Sequence, residues 1–463
     1  MTDIANMAMC FASVRSALRA GGDPVAIVAE SCRRARISKS GVFTALVPQE
    51  VVLERARAAA ARAQQGASLP LLGLTFCVKD NIHVAGMKTT ANCPGLSIEP
   101  SESAAAVLAL ETAGAVLVGK NTLDQLATGL NGTRSPEPLC RNAVDPRYIP
   151  GGSSSGSAVA VAKDLVAFAL GSDTGGSGRV PAACNGIVGV KPTIGLVSGR
   201  GLLYNSRYLD CIPIFARTCA DADEILRHIA GFDPRDPISR AGLIIPAGEP
   251  DLAASAVIAI PRFDQLDFEG DATAHVAHLD NLRLLEALGF AFEEIDYTPF
   301  EEAGRLVFQS ALVAERLVDY WDLACDRPEA IHPAVRAAIE PGLGFSARDA
   351  FEAVYQMMEF RRFAREALAS FAAFVVPTIP TIYTIADMLA EPITRNTVMG
   401  RYTYFVNPMD LCAVALPGLR RTDGLPSSLS FVGRAGCDAT MAALAARFEA
   451  AVNARASQPD ALD

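Results

Sequence analysis

The chain has 463 residues, half of them apolar and a fifth charged, with a formal net charge of -10, the balance of a protein that folds around its own core. That acidic excess excludes the basic face needed to ride on nucleic acid or anionic lipid. No apolar run approaches the roughly 18 residues of a membrane span, and Met1 to Arg15 lacks the basic flank and apolar stretch of a signal peptide, so the expected address is cytoplasmic with no membrane partner.

Taken in order, residues 1–70 read as a helical lead-in, with Ala, Arg and Glu around apolar positions at helical spacing, as in Val51 to Arg57, and a polar break at Gln64-Gln65-Gly66. From residue 71 the texture changes to short apolar runs punctuated by Gly. Leu72 to Val78, Ala115 to Val118 and Leu165 to Leu170 read as buried strands. The Ala-rich stretch Ser103 to Ala113 reads as a helix that stops at Gly114 and delivers the chain to the second of them. Such alternation predicts a layered α/β fold. Between about 240 and 370 the composition is mainly helical, with amphipathic runs such as Asp349 to Glu366. Phe374 to Pro377 then reads as a central strand ended by proline, and Ala439 to Ala454 as a closing helix. With no internal repeat and no Pro-, Gly- or Ser-rich linker, residues 71–463 are expected to form one catalytic domain with its substrate pocket in 240–370 and no separate C-terminal domain. Eleven cysteines without a CxxC pair or a Cys/His cluster predict neither disulfides nor a metal site, and no cofactor is expected.

The densest signal is Gly151-Gly152-Ser153-Ser154-Ser155-Gly156-Ser157-Ala158, followed after one helix and one strand by Gly171-Ser172-Asp173-Thr174-Gly175-Gly176-Ser177-Gly178-Arg179-Val180-Pro181. Small residues in such loops let backbone N–H groups converge on an anion, which phosphate loops and oxyanion holes both require. A nucleotide loop is disfavoured because neither GxGxxG nor GxxxxGK[ST] falls here. Gly152 to Gly156 satisfies the GxSxG nucleophile elbow around Ser154, but that reading needs a histidine base, and the chain has five histidines, none tied by sequence to an acid. A third reading takes its base from Thr75-Phe76-Cys77-Val78-Lys79-Asp80-Asn81, where a lone lysine closes an apolar strand. Such a lysine is ordinarily a solvated strand end; burial would instead lower its pKa and free the amine as a base.

The Lys79 strand end, the Gly151 to Ala158 loop, and Gly171 to Pro181 followed by Gly186-Ile187-Val188-Gly189-Val190-Lys191-Pro192-Thr193 resemble, in order and spacing, the signature of the amidase signature family, from about Leu72 to about Ala435. The resemblance implies an α/β fold with a large mixed, twisted β-sheet between helical layers, and a serine amidohydrolase that acts on a small-molecule amide. It implies Ser177 as nucleophile, Ser153 as bridging hydroxyl and Lys79 as base, with a cis peptide at Ser153-Ser154. The backbone N–H groups of Thr174, Gly175, Gly176 and Ser177 are the implied oxyanion hole. Asp173 and Arg179 are implied to brace the catalytic loop. Ser154 and Ser157 are expected on backbone groups at the helix start.

Gly178 after the nucleophile, Asn121 to Leu130, Ser206 to Cys211, Pro377 to Thr384 and Tyr402 to Asn407 are similar to the allophanate hydrolase branch of that family. A carboxylated substrate of that kind needs a cation or several donors near Ser177. Candidates for substrate binding are Gly129, Ser154, Arg316 and Arg336, and the sequence does not rank the two arginines. Where the family commonly has Ala-Glu-Arg-Tyr this chain reads Ala314-Glu315-Arg316-Leu317, a departure that bears on substrate if the tyrosine helps to hold it. The alternatives are another small-amide amidase, a glutaminase-type component of an amidotransferase, and a non-catalytic scaffold on the same fold. Relatives imply a homodimer.

Overall fold

The computed structural model describes residues 4–38, 41–248 and 256–457. Residues 1–3 and 39–40 of the lead-in, 249–255 of the helical stretch and 458–463 lie outside the described residues. The strands are β1 (Phe43–Leu46), β2 (Thr75–Lys79), β3 (Val116–Asn121), β4 (Phe168–Leu170), β5 (Val188–Lys191), β6 (Ile214–Ala216), β7 (Val257–Pro261), β8 (Ala291–Ile295), β9 (Ala373–Pro377), β10 (Leu411–Pro417) and β11 (Ser428–Arg434). They form one eleven-stranded sheet in the order β1-β3-β2-β4-β6-β5-β10-β11-β9-β7-β8. Pairing is mixed: β2 is parallel to β3 and β4, and β7 to β8 and β9, while β10 runs antiparallel to β5 and β11.

Most central strands are covered on both faces, so they read as continuous apolar runs rather than alternating ones. The period of two still sorts their side chains. Phe76 and Val78 of β2, Phe168 and Leu170 of β4, Ile214 of β6, Val414 and Leu416 of β10, and Val375 of β9 enter one core. Helices Phe11–Arg19, Pro24–Ile37, Ala105–Thr112, Cys219–Ile229, Ala272–Ala287 and Asp438–Ala456 supply its other half. Phe168 stacks on Phe76 with ring centroids 5.3 Å apart and meets Phe11 at 5.9 Å.

On the opposite face, Cys77, Ala169 and Phe215 pack under helix Ser155–Ala162. Phe374, Val376, Ala413 and Val432 pack under helices Thr298–Gln309 and Ala347–Ala367. The sheet is thus sandwiched between helical layers, as the resemblance implied.

The predicted strands at Leu72 to Val78, Ala115 to Val118, Leu165 to Leu170 and Phe374 to Pro377 correspond to β2, β3, β4 and β9, with ends displaced by at most three residues. One element of the lead-in differs from expectation. Residues Phe43–Leu46 are a strand that pairs antiparallel with β3.

Candidate active site

Strand β2 places Lys79 at its last residue, on the face opposite Phe76 and Val78, where the side chain has no exposed surface. The two Ser/Gly loops close over it. Lys79 Nζ lies 2.6 Å from Ser153 Oγ, which in turn lies 2.9 Å from Ser177 Oγ. The amine has two other neighbours, Ser172 Oγ at 2.8 Å and the Ser172 carbonyl at 3.4 Å. Asn81 Nδ2 donates to the same Ser172 hydroxyl at 3.0 Å. A neutral amine has two N–H groups and one lone pair. With both N–H groups turned to Ser172, the lone pair is left facing the Ser153 hydroxyl.

Burial pulls Lys79 down from 10.5 to about 7, against the attraction of Asp210, Asp124 and Asp173. Its neutral form is therefore well populated near neutrality.

The backbone of the Gly151 loop turns through a cis peptide, at Gly152-Ser153 and not at Ser153-Ser154 as expected. A Cβ at Gly152 would lie 2.1 Å from Asp124 Oδ2, so the chain passes there only as glycine. The expectation for Ser154 and Ser157 is also corrected. Helix Ser155–Ala162 has no side-chain cap; Ser154 donates to the Ser172 carbonyl at 3.2 Å and Ser157 to the Leu170 carbonyl at 3.0 Å. Both hydroxyls tie the helix to the β4 end, and Ser154, fully buried there, does not line the cavity over Ser177.

Asp173 and Arg179 shape the Gly171 to Pro181 loop. Their side chains pair at 2.9 and 3.0 Å, fully buried. Asp173 also accepts the N–H of Gly176 and of Gly178, each at 2.8 Å. Arg179 continues to the Thr403 carbonyl at 2.9 Å and to Asn407 Oδ1 at 2.8 Å. Gly176 has φ +141°, and a Cβ there would meet Thr403 Oγ1 at 2.3 Å. Because its N–H is held by Asp173, Gly176 departs from the expected oxyanion set. The N–H groups of Thr174, Gly175 and Ser177 make no hydrogen bond to another described residue, and these three residues line the cavity.

That cavity, of about 280 Å³, opens over Ser177. Gly129 lines it, as expected. None of its described lining residues is Asp or Glu, whereas Arg134 and Arg316 both face it.

Arg316 is 2 % exposed and rests on the Phe308 ring at 4.7 Å, with Nε donating to Asn205 Oδ1 at 2.8 Å. Its Nη1 is buried without a partner. Burial lowers it to about 10, which leaves it charged at neutral pH. Arg134 donates to the Thr128 carbonyl at 3.2 Å and the Pro392 carbonyl at 2.9 Å, and its Nε is likewise unpartnered.

Arg336 is not brought to the site. Helix Pro333–Ile339 buries Ala334, Val335 and Ile339, which turns Arg336 outward to pair with Glu340 at 3.3 Å. Leu317 packs against Tyr320, Leu323 and Val335 and does not line the cavity.

The sequence reading gave no role to Ser172, Arg134, Asn205 or Asp210. Ser172 stands inside the Gly171 to Pro181 run, and Asp210 inside the Ser206 to Cys211 run with Asn205 just before it; those runs carried the resemblance, but no spacing within them marks a role for these three. Among the described residues no group of His, Cys, Asp and Glu is placed to hold a metal ion.

A mixed sheet between helical layers, carrying a buried lysine, two aligned serines and unengaged backbone N–H groups, is the arrangement of a serine hydrolase acting on amides. The chain belongs to the amidase family, whose model matches residues 26–441. Over 384 residues it is 37% identical to the urea amidolyase of Saccharomyces cerevisiae, an alignment that covers 82% of this chain and 21% of that protein. The crystal structure of Kluyveromyces lactis allophanate hydrolase superposes with a TM-score of 0.90 at 31% identity, over 96% of this chain and 73% of that one. A glutamyl-tRNA(Gln) amidotransferase component of Chloroflexus aurantiacus is 41% identical over a shorter stretch of 275 residues, 57% of this chain and 55% of that protein. The chain thus spans about a fifth of the length of the yeast amidolyase.

Proposed function

We propose that the chain hydrolyses a small carboxylated amide or urea with release of ammonia, and that allophanate is its substrate. One observation carries the substrate class: the unpartnered Nη1 of buried Arg316 in an acid-free cavity that also holds Ser177. A carboxylate placed there gains a charge-assisted hydrogen bond that no side chain now supplies. The likeness to an allophanate hydrolase structure over nearly the whole chain supports the same reading.

In the proposed mechanism neutral Lys79 takes the Ser153 proton while Ser153 takes the Ser177 proton. The Ser177 oxygen attacks the amide carbonyl, and the developing oxyanion is held by the N–H groups of Thr174, Gly175 and Ser177. Collapse returns a proton to the leaving nitrogen, ammonia departs, and an acyl group remains on Ser177. Water then enters, gives a proton to the same relay and releases the acid. Any later decarboxylation lies outside these steps. Asp173 and Arg179 hold the loop and take no part in proton transfer.

The test is ammonia release from allophanate, malonamate, biuret, glutamine and a simple aliphatic amide by wild type and Ser177→Ala. Release from allophanate and malonamate that vanishes in the mutant is the expected result. Mutant-sensitive release from glutamine alone would move the substrate to an amidotransferase type; no release from any of them would favour the scaffold.

Residues 1–70 and 71–463 are proposed to act together as lead-in and catalytic domain, with 240–370 supplying the pocket wall. A cytoplasmic setting is in keeping with eleven cysteines all present as free thiols. A homodimer is proposed too. Exposed Val318 and Trp321 on helix Arg316–Asp326, with Phe351, Tyr355 and Met358 on helix Ala347–Ala367, offer an apolar face for a second copy.

A further inference from the structure

The segment from Asn205 to Asp210 joins the two ends of the cavity. Its Asp210 Oδ1 accepts the Thr174 hydroxyl at 2.6 Å, and Thr174 belongs to the loop that offers N–H groups beside Ser177. Asp210 Oδ2 accepts the N–H of Asn205 at 2.7 Å. The Asn205 side chain then accepts Arg316 Nε at 2.8 Å and donates to Thr128 Oγ1 at 2.8 Å.

The same segment is fixed at both margins. Cys211 and Asp173 exchange backbone hydrogen bonds at 3.2 and 3.0 Å, and Asn407 donates to the Leu209 and Asp173 carbonyls, each at 2.9 Å. At the other margin Glu315, the neighbour of Arg316, accepts the Ser206 hydroxyl and the Arg207 N–H. Asp210 itself is 4 % exposed and does not line the cavity.

We propose that Asp210 is a positioning residue whose carboxylate registers the Thr174 to Ser177 loop against Arg316 and so fixes the distance between the scissile carbonyl and the substrate carboxylate. The proposal rests on the carboxylated-amide reading above. A carboxylate can accept from Thr174 and Asn205 at once, which makes the link from one loop to the other a single rigid group. Registration of this kind matters because a misplacement of about 1 Å at a reacting centre costs on the order of 100-fold in rate. A site with a fixed carbonyl-to-carboxylate span discriminates between substrates that differ by one methylene.

Malonamate and succinamate differ in that way, and their relative kcat/KM is the readout, with malonamide as the uncharged reference. Wild type is expected to prefer malonamate over succinamate by about 10-fold or more, the range available to one methylene. Asp210→Ala should lower malonamate kcat by roughly 10-fold or more and bring the malonamate-to-succinamate ratio toward one, since neither loop then holds its register. Asp210→Asn keeps one acceptor and lets the Thr174 hydroxyl accept in turn, and it should recover most of the discrimination. Equal losses on both acids, with the wild-type ratio kept, would overturn the proposal while leaving the carboxylate reading intact.

Should Asp210→Ala fail to fold, Asn205→Ala decides the matter. It leaves Asp210 on Thr174 and frees Arg316 Nε, so malonamate KM should rise by about 10-fold with kcat largely kept. An unchanged KM would refute the link to Arg316. A wild type that takes malonamide as readily as malonamate would refute the carboxylate reading itself, and the proposal with it.

Discussion

An exposed lysine, with its usual pKa near 10.4, is almost wholly protonated at pH 7. Lys79 at the closed end of β2 is brought to about 7 by burial. Asp210, raised to about 7 by its own burial, changes charge in the same range. Proton loss from Lys79 frees the base, and proton loss from Asp210 keeps both its acceptor oxygens, so the two act in one direction. The expected profile of kcat/KM therefore climbs through an apparent pKa near 7 and levels above it. A flat profile from pH 5 to 8 would contradict the buried-lysine base. The same shift costs stability at neutral pH. Lys79 is harder to protonate in the folded chain than in the unfolded one, so the unfolded chain binds more protons between about 7 and 10.4, and stability from this group falls as pH drops across that window. Lys79→Met is accordingly expected to cost at least about 100-fold in turnover and yet to raise the urea midpoint at pH 7. The loops that hold Ser153 and Ser177 were legible because small residues crowd them, whereas Lys79 closes an apolar strand with nothing to mark it, and the resemblance alone joined the three. Arg316 and Arg336 were not separable, because only packing decides which helical face meets the cavity. The cis bond was misplaced by one residue, since no side chain marks which peptide of Gly152-Ser153-Ser154 turns.

At the scale of elements, the sheet depends on pairs that cross from strand to helix. Phe168 lies between Phe76 and Phe11 and is fully buried. Phe168→Ala should destabilise the fold by about 3 to 5 kcal/mol, seen as a lower urea midpoint with an unchanged slope. The Gly171 to Pro181 loop has an equally local dependence. Arg179→Met leaves the Asp173 carboxylate buried with two N–H partners and without its ion-pair partner, Lys191 acting on it only through its charge, which should cost about 3 to 5 kcal/mol and show in the same titration. Strands β2, β3, β4 and β9 could be read because each is a short apolar run with a breaker at its end. Strand β8, Ala291-Phe292-Glu293-Glu294-Ile295, could not be, since it is a charged edge strand. Strand β10, Leu411 to Pro417, is an apolar run that a buried helix segment would match equally well.

For the whole molecule, the sequence conveyed the layered architecture but not the order of strands, which follows from how the crossovers stack and is carried by no single motif. The proposed second copy can be weighed in solution. Sedimentation of wild type is expected to give a dimer, and Trp321→Glu with Tyr355→Glu should shift it toward monomer with the far-UV circular dichroism of the folded chain kept. A monomeric wild type would remove the dimer from the reading. Strand β1 has a consequence of another kind. It comes from the lead-in yet is hydrogen-bonded along β3, on which the rest of the sheet is built. An expression clone started at residue 71 would leave the backbone of β3 unpaired along that side, a template for sticking to other chains. Anyone grafting this fold onto another protein must therefore carry Phe43–Leu46 with it.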